Sequence, residues 1–306
     1  MIGRLRALFP GSVSILERAS EVVGRDLQAQ YAAGNPSMFA FNRDVQVGVF
    51  LTNHVYMELL HERGVRAEHS AGLSLGEYNH LVHIGALGFE DALRLVDARG
   101  KTYDAGPAGI MACVFPLPLA DLERVVDRAR SVGCVEIANL NSPMQHVLSG
   151  EGHAVQSALR ILEDEHCVEG VVIEDRIPMH SSIFAPVVEE FRPHLERAPW
   201  RMPGLPYLPN VAAELIHRPG RAQFVEMLSR HVCQPVRWRE SVDLLADTLP
   251  EPVFVEVGPR GVLSNLLSKK WRPFRKYRTD GAEEPAAAAA HLEALVEELT
   301  RVPAAL

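Results

Sequence analysis

The clearest chemistry in this chain lies in Gly72-Leu73-Ser74-Leu75-Gly76. A GxSxG pattern between strand-forming and helix-forming sequence marks a nucleophile elbow, in which serine sits on a tight strand-to-helix turn. Both glycines are expected because a Cβ at either position would clash within that turn. The helix behind Ser74 would offer N–H groups and a partial positive charge to a developing oxyanion. A serine nucleophile needs a base, usually histidine. The chain has thirteen histidines, and His180 stands out by its setting, Ile177-Pro178-Met179-His180-Ser181-Ser182. No acid stands between serine and histidine at a hydrolase-like spacing. The reading is therefore a Ser74–His180 dyad whose histidine is oriented by a backbone carbonyl or an amide oxygen.

Several elements must bring these residues together. Hydrophobic periodicity predicts a strand over 4–9, a helix over 13–33 and a buried helix over 44–62. A strand near 66–73 leads into the turn, with helix to 84, and a helix over 89–101 is expected to close at Arg99-Gly100. Residues 109–176 read as a self-contained βαββαβ unit. Its strands fall at 110–116, 134–140, 145–149 and 168–174, and its helices at 119–131 and 152–164. That order is a ferredoxin-like split βαβ, inserted into a larger α/β unit. The larger unit resumes with helix 181–196, strand 206–212, helices 220–233 and 237–249, strand 252–257 and helix 261–270. A helix near 290–301 ends the chain. The expected organisation is 1–108 with 177–285, the inserted unit 109–176, and a C-terminal linker and helix over 286–306.

Composition narrows the function classes. The 306 residues are 47% hydrophobic and 23% charged, ordinary globular values that exclude disorder as the main state. A formal charge of −8 argues against a nucleic-acid binder. No apolar run reaches membrane-spanning length, and the opening MIGRLRALFPGS has no signal-peptide core. Cys113, Cys134, Cys167 and Cys233 form no CxxC, so neither a zinc site nor a disulfide framework is expected. Reduced thiols in a cytoplasmic protein are the expectation.

Beyond the elbow, several segments stand in an ordered series: Phe9-Pro10-Gly11, GLSLGEY at 72–78, and Leu95-Val96-Asp97-Ala98-Arg99-Gly100. Then come Ile137-Ala138-Asn139-Leu140-Asn141-Ser142-Pro143, Val147-Leu148-Ser149-Gly150 and Pro178-Met179-His180-Ser181. Gln234-Pro235-Val236-Arg237-Trp238 and Val255-Glu256-Val257-Gly258-Pro259 complete it. From about residue 8 to about 285 the chain resembles the malonyl-CoA:acyl-carrier-protein transacylases, including the free-standing acyltransferases of polyketide synthesis. The resemblance implies an α/β-hydrolase-like large subdomain with a parallel sheet and an inserted ferredoxin-like small subdomain. It implies Ser74 as nucleophile and His180 as base, with the backbone N–H groups of Leu75 and Ser12 forming the oxyanion hole. Arg99 would clamp the free carboxylate of a malonyl-type group, since a planar guanidinium holds a carboxylate bidentately. A competing reading makes Arg99 a helix C-terminal cation beside Gly100. Asn139 and Asn141 match a structural turn near the cleft. His231 stands where a family glutamine carbonyl often steadies the base; a partly exposed helix-end histidine is the plainer reading.

Departures bear on the substrate. The family's FPGQGSQ opening is FPGSVSI here, with Ser12 in place of glutamine, and the segment before the first long helix is shorter by roughly one helix. Leu73 replaces the common histidine before the nucleophile. Tyr103 replaces a methionine after the Arg-Gly pair. Met179 replaces a frequent phenylalanine, and methionine is flexible, so Met179 and Tyr103 are expected to shape an acyl pocket tolerant of more than plain malonyl. The segment 268–278 carries six basic residues, read as a solvated helix end and loop that would also steer an acidic carrier protein or CoA. The expected enzyme needs no bound metal or redox cofactor. Acyl-CoA is its substrate and an acyl carrier protein with its phosphopantetheine its partner. It acts as a monomer, with neither nucleic acid nor membrane. The rivals are an acyl-carrier-protein hydrolase, an atypical transferase moving a larger acyl group between carrier proteins, and a non-catalytic carrier-binding module.

Overall fold

The computed structural model describes residues 9–249, 251–267, 274–282 and 284–301. The expected strand over 4–9 falls outside them apart from Phe9, as do residues 268–273 of the basic segment. The architecture is mixed α/β.

Helix α1 (Ser12–Val23) ends at Gly24, whose left-handed φ of 63° turns the chain away. The single helix expected over 13–33 is thus two pieces. Asp26 accepts a hydrogen bond from the Ala29 N–H and starts the short α2 (Leu27–Gln30). Helix α3 (Asn42–Glu62) then runs through the core against α5 (Phe89–Asp104). Gly100 lies inside α5 and does not end it: a Cβ there would sit 2.4 Å from the Arg43 Cα. Gly100 lets the two helices touch, and the reading of Arg99 as a C-terminal cation falls with the shorter helix.

Between them, α4 (Gly76–His83) follows Ser74 directly. No strand forms over 66–73, and 206–212 contributes only one bridge, Tyr207 to Ile216. Side chains take the place of a ladder: the Asn210 amide donates to Gly72 O at 2.6 Å and accepts from the Ser74 N–H at 2.7 Å. Pro206 and Pro209 also lack the N–H groups a strand would need.

Residues 110–174 form the expected alternation. It runs β1 (Ile110–Val114), α6 (Leu119–Ala129), β2 (Val135–Leu140), β3 (His146–Gly150), α7 (Gly152–His166) and β4 (Val171–Glu174). The sheet order is β2-β3-β1-β4 and every neighbouring pair is antiparallel. Alternation of side chains gives it two apolar faces. Ala112, Val114 and Leu148 pack on the helices α6 and α7, while Met111, Ala138 and Val147 pack with Met179 from the other part of the chain.

The chain returns through a 3-10 turn, Ser182–Phe184, into α8 (Ala185–Arg197), then α9 (Arg221–Cys233) and α10 (Trp238–Thr248). β5 (Val253–Glu256), α11 (Val262–Leu266), β6 (Arg275–Arg278) and α12 (Pro285–Arg301) finish it. Among the described residues the parallel sheet is the pair β5–β6, so the described part of the basic segment is a strand and not a helix end. Three of its four residues are basic and its two half-buried positions are adjacent, so no apolar alternation marks that strand in the sequence.

Candidate active site

Ser74 stands at the junction of an extended segment and α4 with φ at +49°, a left-handed conformation uncommon for a residue with a Cβ. Such strain costs on the order of 1–3 kcal/mol and persists only where the surroundings impose it. The surroundings here are the Asn210 clip and Gly72. A Cβ on Gly72 would fall 2.0 Å from the carbonyl carbon of Gly76. Gly76 is different: a Cβ there would meet nothing within 4 Å. Only one of the two motif glycines is therefore required by contact.

The Ser74 hydroxyl lies 2.8 Å from His180 Nε2, the distance of a hydrogen bond. His180 is buried and seated on the end of α9. Its backbone N–H donates to Val232 O at 3.1 Å and its Nδ1 lies 2.7 Å from His231 O. The last carbonyls of a helix have no partner within the helix and carry a partial negative charge. With the Nδ1 proton on that carbonyl, Nε2 is free to accept from serine. Burial, then the Arg99 charge, push the His180 pKa down to about 3, against the opposing hydrogen bond to His231 O. The imidazole is therefore neutral at ordinary pH, as a base must be.

Arg99 projects from the middle of α5 and is 1% exposed. Its Nη1 donates to Gln46 Oε1 at 2.7 Å, and its Nη2 stands 3.5 Å from Ser74 Oγ. The guanidinium lies 4.2 Å from the Tyr103 ring centroid and 5.7 Å from that of Tyr78. Cation–π contact in a desolvated setting contributes about 2 kcal/mol. Gln46 is itself oriented by Asn42, to whose Oδ1 it donates. No carboxylate within the described chain pairs with Arg99, so a buried cation with unfilled donors faces the nucleophile.

The other expected site residues fall into two groups. Leu75 caps α4, and among the described residues its N–H has no acceptor, leaving it open beside Ser74. Met179 borders the apolar face of the four-stranded sheet next to His180. The Tyr103 hydroxyl is buried without a partner. His231 is fully buried, which corrects the reading of a partly exposed helix-end residue; its carbonyl holds His180 and its ring stacks on His180 at 4.9 Å. Ser12 does not offer a free N–H: it donates to Phe9 O at 2.9 Å, closing the turn that starts α1. Asn141 lies in the β2–β3 turn, whereas Asn139 is on β2 itself, bridged to Val236.

Three residues that the motifs did not single out belong to the site. Gln46 is a polar residue on an otherwise apolar buried helix, a signal that the sequence carried. Glu77 follows the motif directly and is fully buried; its carboxylate accepts from the Tyr207 hydroxyl and the Asn210 N–H and lies 3.2 Å from His231 Nδ1. Burial pushes its pKa up to about 8, opposed by those hydrogen bonds and by Arg99. Asn210 had no sequence signal.

A model of the acyl transferase domain matches residues 19–296. The chain belongs to the acyl transferase family. Across 94% of this acyltransferase and 90% of the relative, it is 29% identical to the malonyl CoA-acyl carrier protein transacylase of Bacillus subtilis strain 168. It is 28% identical to the Escherichia coli K12 protein of the same name over 96% of this chain and 94% of that one. Among solved structures, MCAT from Streptococcus pneumoniae superposes with a TM-score of 0.86 at 29% identity, covering 97% of this acyltransferase and 95% of that chain. A malonyl-transacylase solved in complex with a type II polyketide synthase acyl-carrier protein matches at 26% identity and a TM-score of 0.85, covering 96% and 94%. Among the described residues no helix is long and apolar enough to cross a membrane, and no cluster of three or more potential metal ligands occurs.

Proposed function

We propose that this acyltransferase moves a malonyl-type group from CoA to the phosphopantetheine thiol of an acyl carrier protein through an acyl-Ser74 intermediate. The observation that carries the reading is Arg99: a buried guanidinium with open donors, 3.5 Å from the nucleophile. A malonyl thioester puts a carboxylate one methylene from the reacting carbonyl, so the carboxylate can fill those donors while the carbonyl meets Ser74. Ser74 Oγ attacks the thioester carbon as its proton passes to His180 Nε2. The Leu75 N–H, at the positive end of α4, donates to the oxyanion. His180 returns the proton to the departing CoA sulfur, and the carrier thiol then repeats the sequence in reverse.

The α9 carbonyls take over part of the role of a triad carboxylate, stabilising positive charge on His180 as it forms. Nucleophile, base, oxyanion donor and carboxylate clamp are all protein groups, so the reaction as drawn uses no bound metal or redox cofactor. We read residues 109–176 as a ferredoxin-like subdomain inserted in an α/β-hydrolase-like large subdomain, 1–108 with 177–285, followed by the tail 286–306. We read the enzyme as a cytoplasmic monomer. The rival of transfer of a larger acyl group between carrier proteins draws on the exposed Phe39 and Phe41 in the shortened segment before α3; hydrolysis of simple acyl groups leaves Arg99 without a task.

Intact-protein mass after brief exposure to malonyl-CoA or acetyl-CoA tests this, with Ser74→Ala as control. A malonyl adduct on the wild type alone, dischargeable to a carrier protein, is the expected result. No adduct from malonyl-CoA sinks the reading.

A further inference from the structure

One buried carboxyl is linked to both halves of the dyad, each through a single intervening residue. Glu77 accepts from the Asn210 N–H at 3.3 Å, and the Asn210 side chain holds Gly72 O and the Ser74 N–H, the two backbone groups that set the strained turn. The same carboxyl oxygen lies 3.2 Å from His231 Nδ1, and the His231 carbonyl holds His180. The Tyr207 hydroxyl donates to the remaining oxygen. The His231 Nδ1 thus faces this buried carboxyl, and the ring stacks on His180 with the centroids 4.9 Å apart.

We propose that Glu77 is a positioning residue of the dyad, acting on the nucleophile through Asn210 and on the base through the side chain of His231. The inference rests on Ser74 being the reacting nucleophile. Removing the acceptor would let the α9 end and the serine turn relax independently, lengthening the 2.8 Å contact between Ser74 and His180. Glu77 is fully buried, so the loss should fall on the rate of serine attack and not on substrate binding. Outer partners that orient metal ligands typically cost about 10- to 100-fold when lost, and a residue that orients a dyad at the same remove is expected to cost the same order.

The test is the rate of Ser74 phosphonylation by a fluorophosphonate probe. In that reaction the serine oxygen bonds to phosphorus, fluoride leaves and His180 takes the proton, whatever the natural acyl donor. Glu77→Gln should slow labelling by about 10-fold or more, with KM for malonyl-CoA within about twofold of wild type. His231→Leu should slow it similarly, and His231→Gln, whose amide can still donate to Glu77, should recover most of that loss. The double variant Glu77→Gln/His231→Leu should be no slower than the slower single, because coupled residues are not additive. Wild-type labelling rates in both single variants overturn the proposal, as do losses that multiply in the double variant. If Glu77→Gln does not fold, the His231 pair decides: equal rates for His231→Leu and His231→Gln overturn it. A wild-type enzyme that labels but takes no malonyl from CoA defeats the substrate reading and leaves this test standing.

Discussion

Two arginine sites lie within one turn of each other where α3 and α5 meet, and they are built on opposite rules. Around Asp97 the charges are closed: Arg43 donates to both carboxylate oxygens at 2.6 and 2.8 Å, and Arg25 and Lys101 approach at 3.2 and 3.1 Å. Two residues further along α5, Arg99 is more deeply buried and has an amide oxygen and two aromatic faces but no carboxylate. The first cluster ties the link between α1 and α2 to α3 and α5. The second holds a charge in place without neutralising it. Leaving a buried guanidinium unpaired is costly, and the neutral Gln46 and the rings of Tyr78 and Tyr103 reduce that cost while keeping donors open for an incoming carboxylate.

The contrast is broken most severely at Arg99 itself. Arg99→Ala should lower the rate of malonyl transfer from CoA about a hundredfold, the loss of a bidentate charge-assisted pair of about 3 kcal/mol. Acetyl transfer should fall far less, and adduct formation at Ser74 from the two CoA esters checks this. At the closed cluster, Asp97→Asn should cost about 2 kcal/mol in urea unfolding and leave malonyl transfer at moderate temperature nearly unchanged. Burial pushes the Asp97 carboxyl up, yet hydrogen bonds and charge from Arg43 and Lys101 outweigh it and hold its pKa below the ordinary value. Its stabilisation is thus fully present above the unfolded carboxylate pKa, near 4, and is lost as pH falls through the folded value. Wild type should therefore lose more stability than Asp97→Asn on acidification through that window.

A subtler change makes one site resemble the other. Gln46→Glu would hand Arg99 a resident carboxylate; stability should hold or rise while kcat/KM for malonyl-CoA falls about tenfold, near 1.4 kcal/mol. Smallest of all, Tyr103→Phe removes a hydroxyl that has no partner but keeps the ring under Arg99. Malonyl transfer should stay within about threefold of wild type, less than 1 kcal/mol. A larger loss would mean that the hydroxyl meets the substrate.

What was legible in the sequence was local. Ser74, His180 and Arg99 sit in short contiguous motifs, and the βαββαβ unit shows because each strand and helix has its own periodicity and its partners lie close along the chain. The strand expected at 66–73 failed because its bonding partner is the side chain of Asn210, more than 130 positions away. Glu77 lay next to the motif, yet its meaning depends on Tyr207, Asn210 and His231, which only the folded chain assembles. Gly100 looked like a stop signal because a tight helix crossing and a helix end both call for glycine. Ser12 was assigned by position in a motif, and a single turn bond to Phe9 used up the group that the assignment needed.

The Met179 contact has an evolutionary consequence. Arg99 and Ser74 are fixed within the main helical core, while the surface beside Met179 is the far face of the four-stranded sheet, with Met111, Ala138 and Val147. That sheet secures its own stability through α6 and α7 on its opposite side. Substitutions at those apolar positions can therefore repack the ground beneath Met179 with little effect on nucleophile, base or clamp. The neighbourhood of the base is free to drift while Ser74, His180 and Arg99 stay as they are.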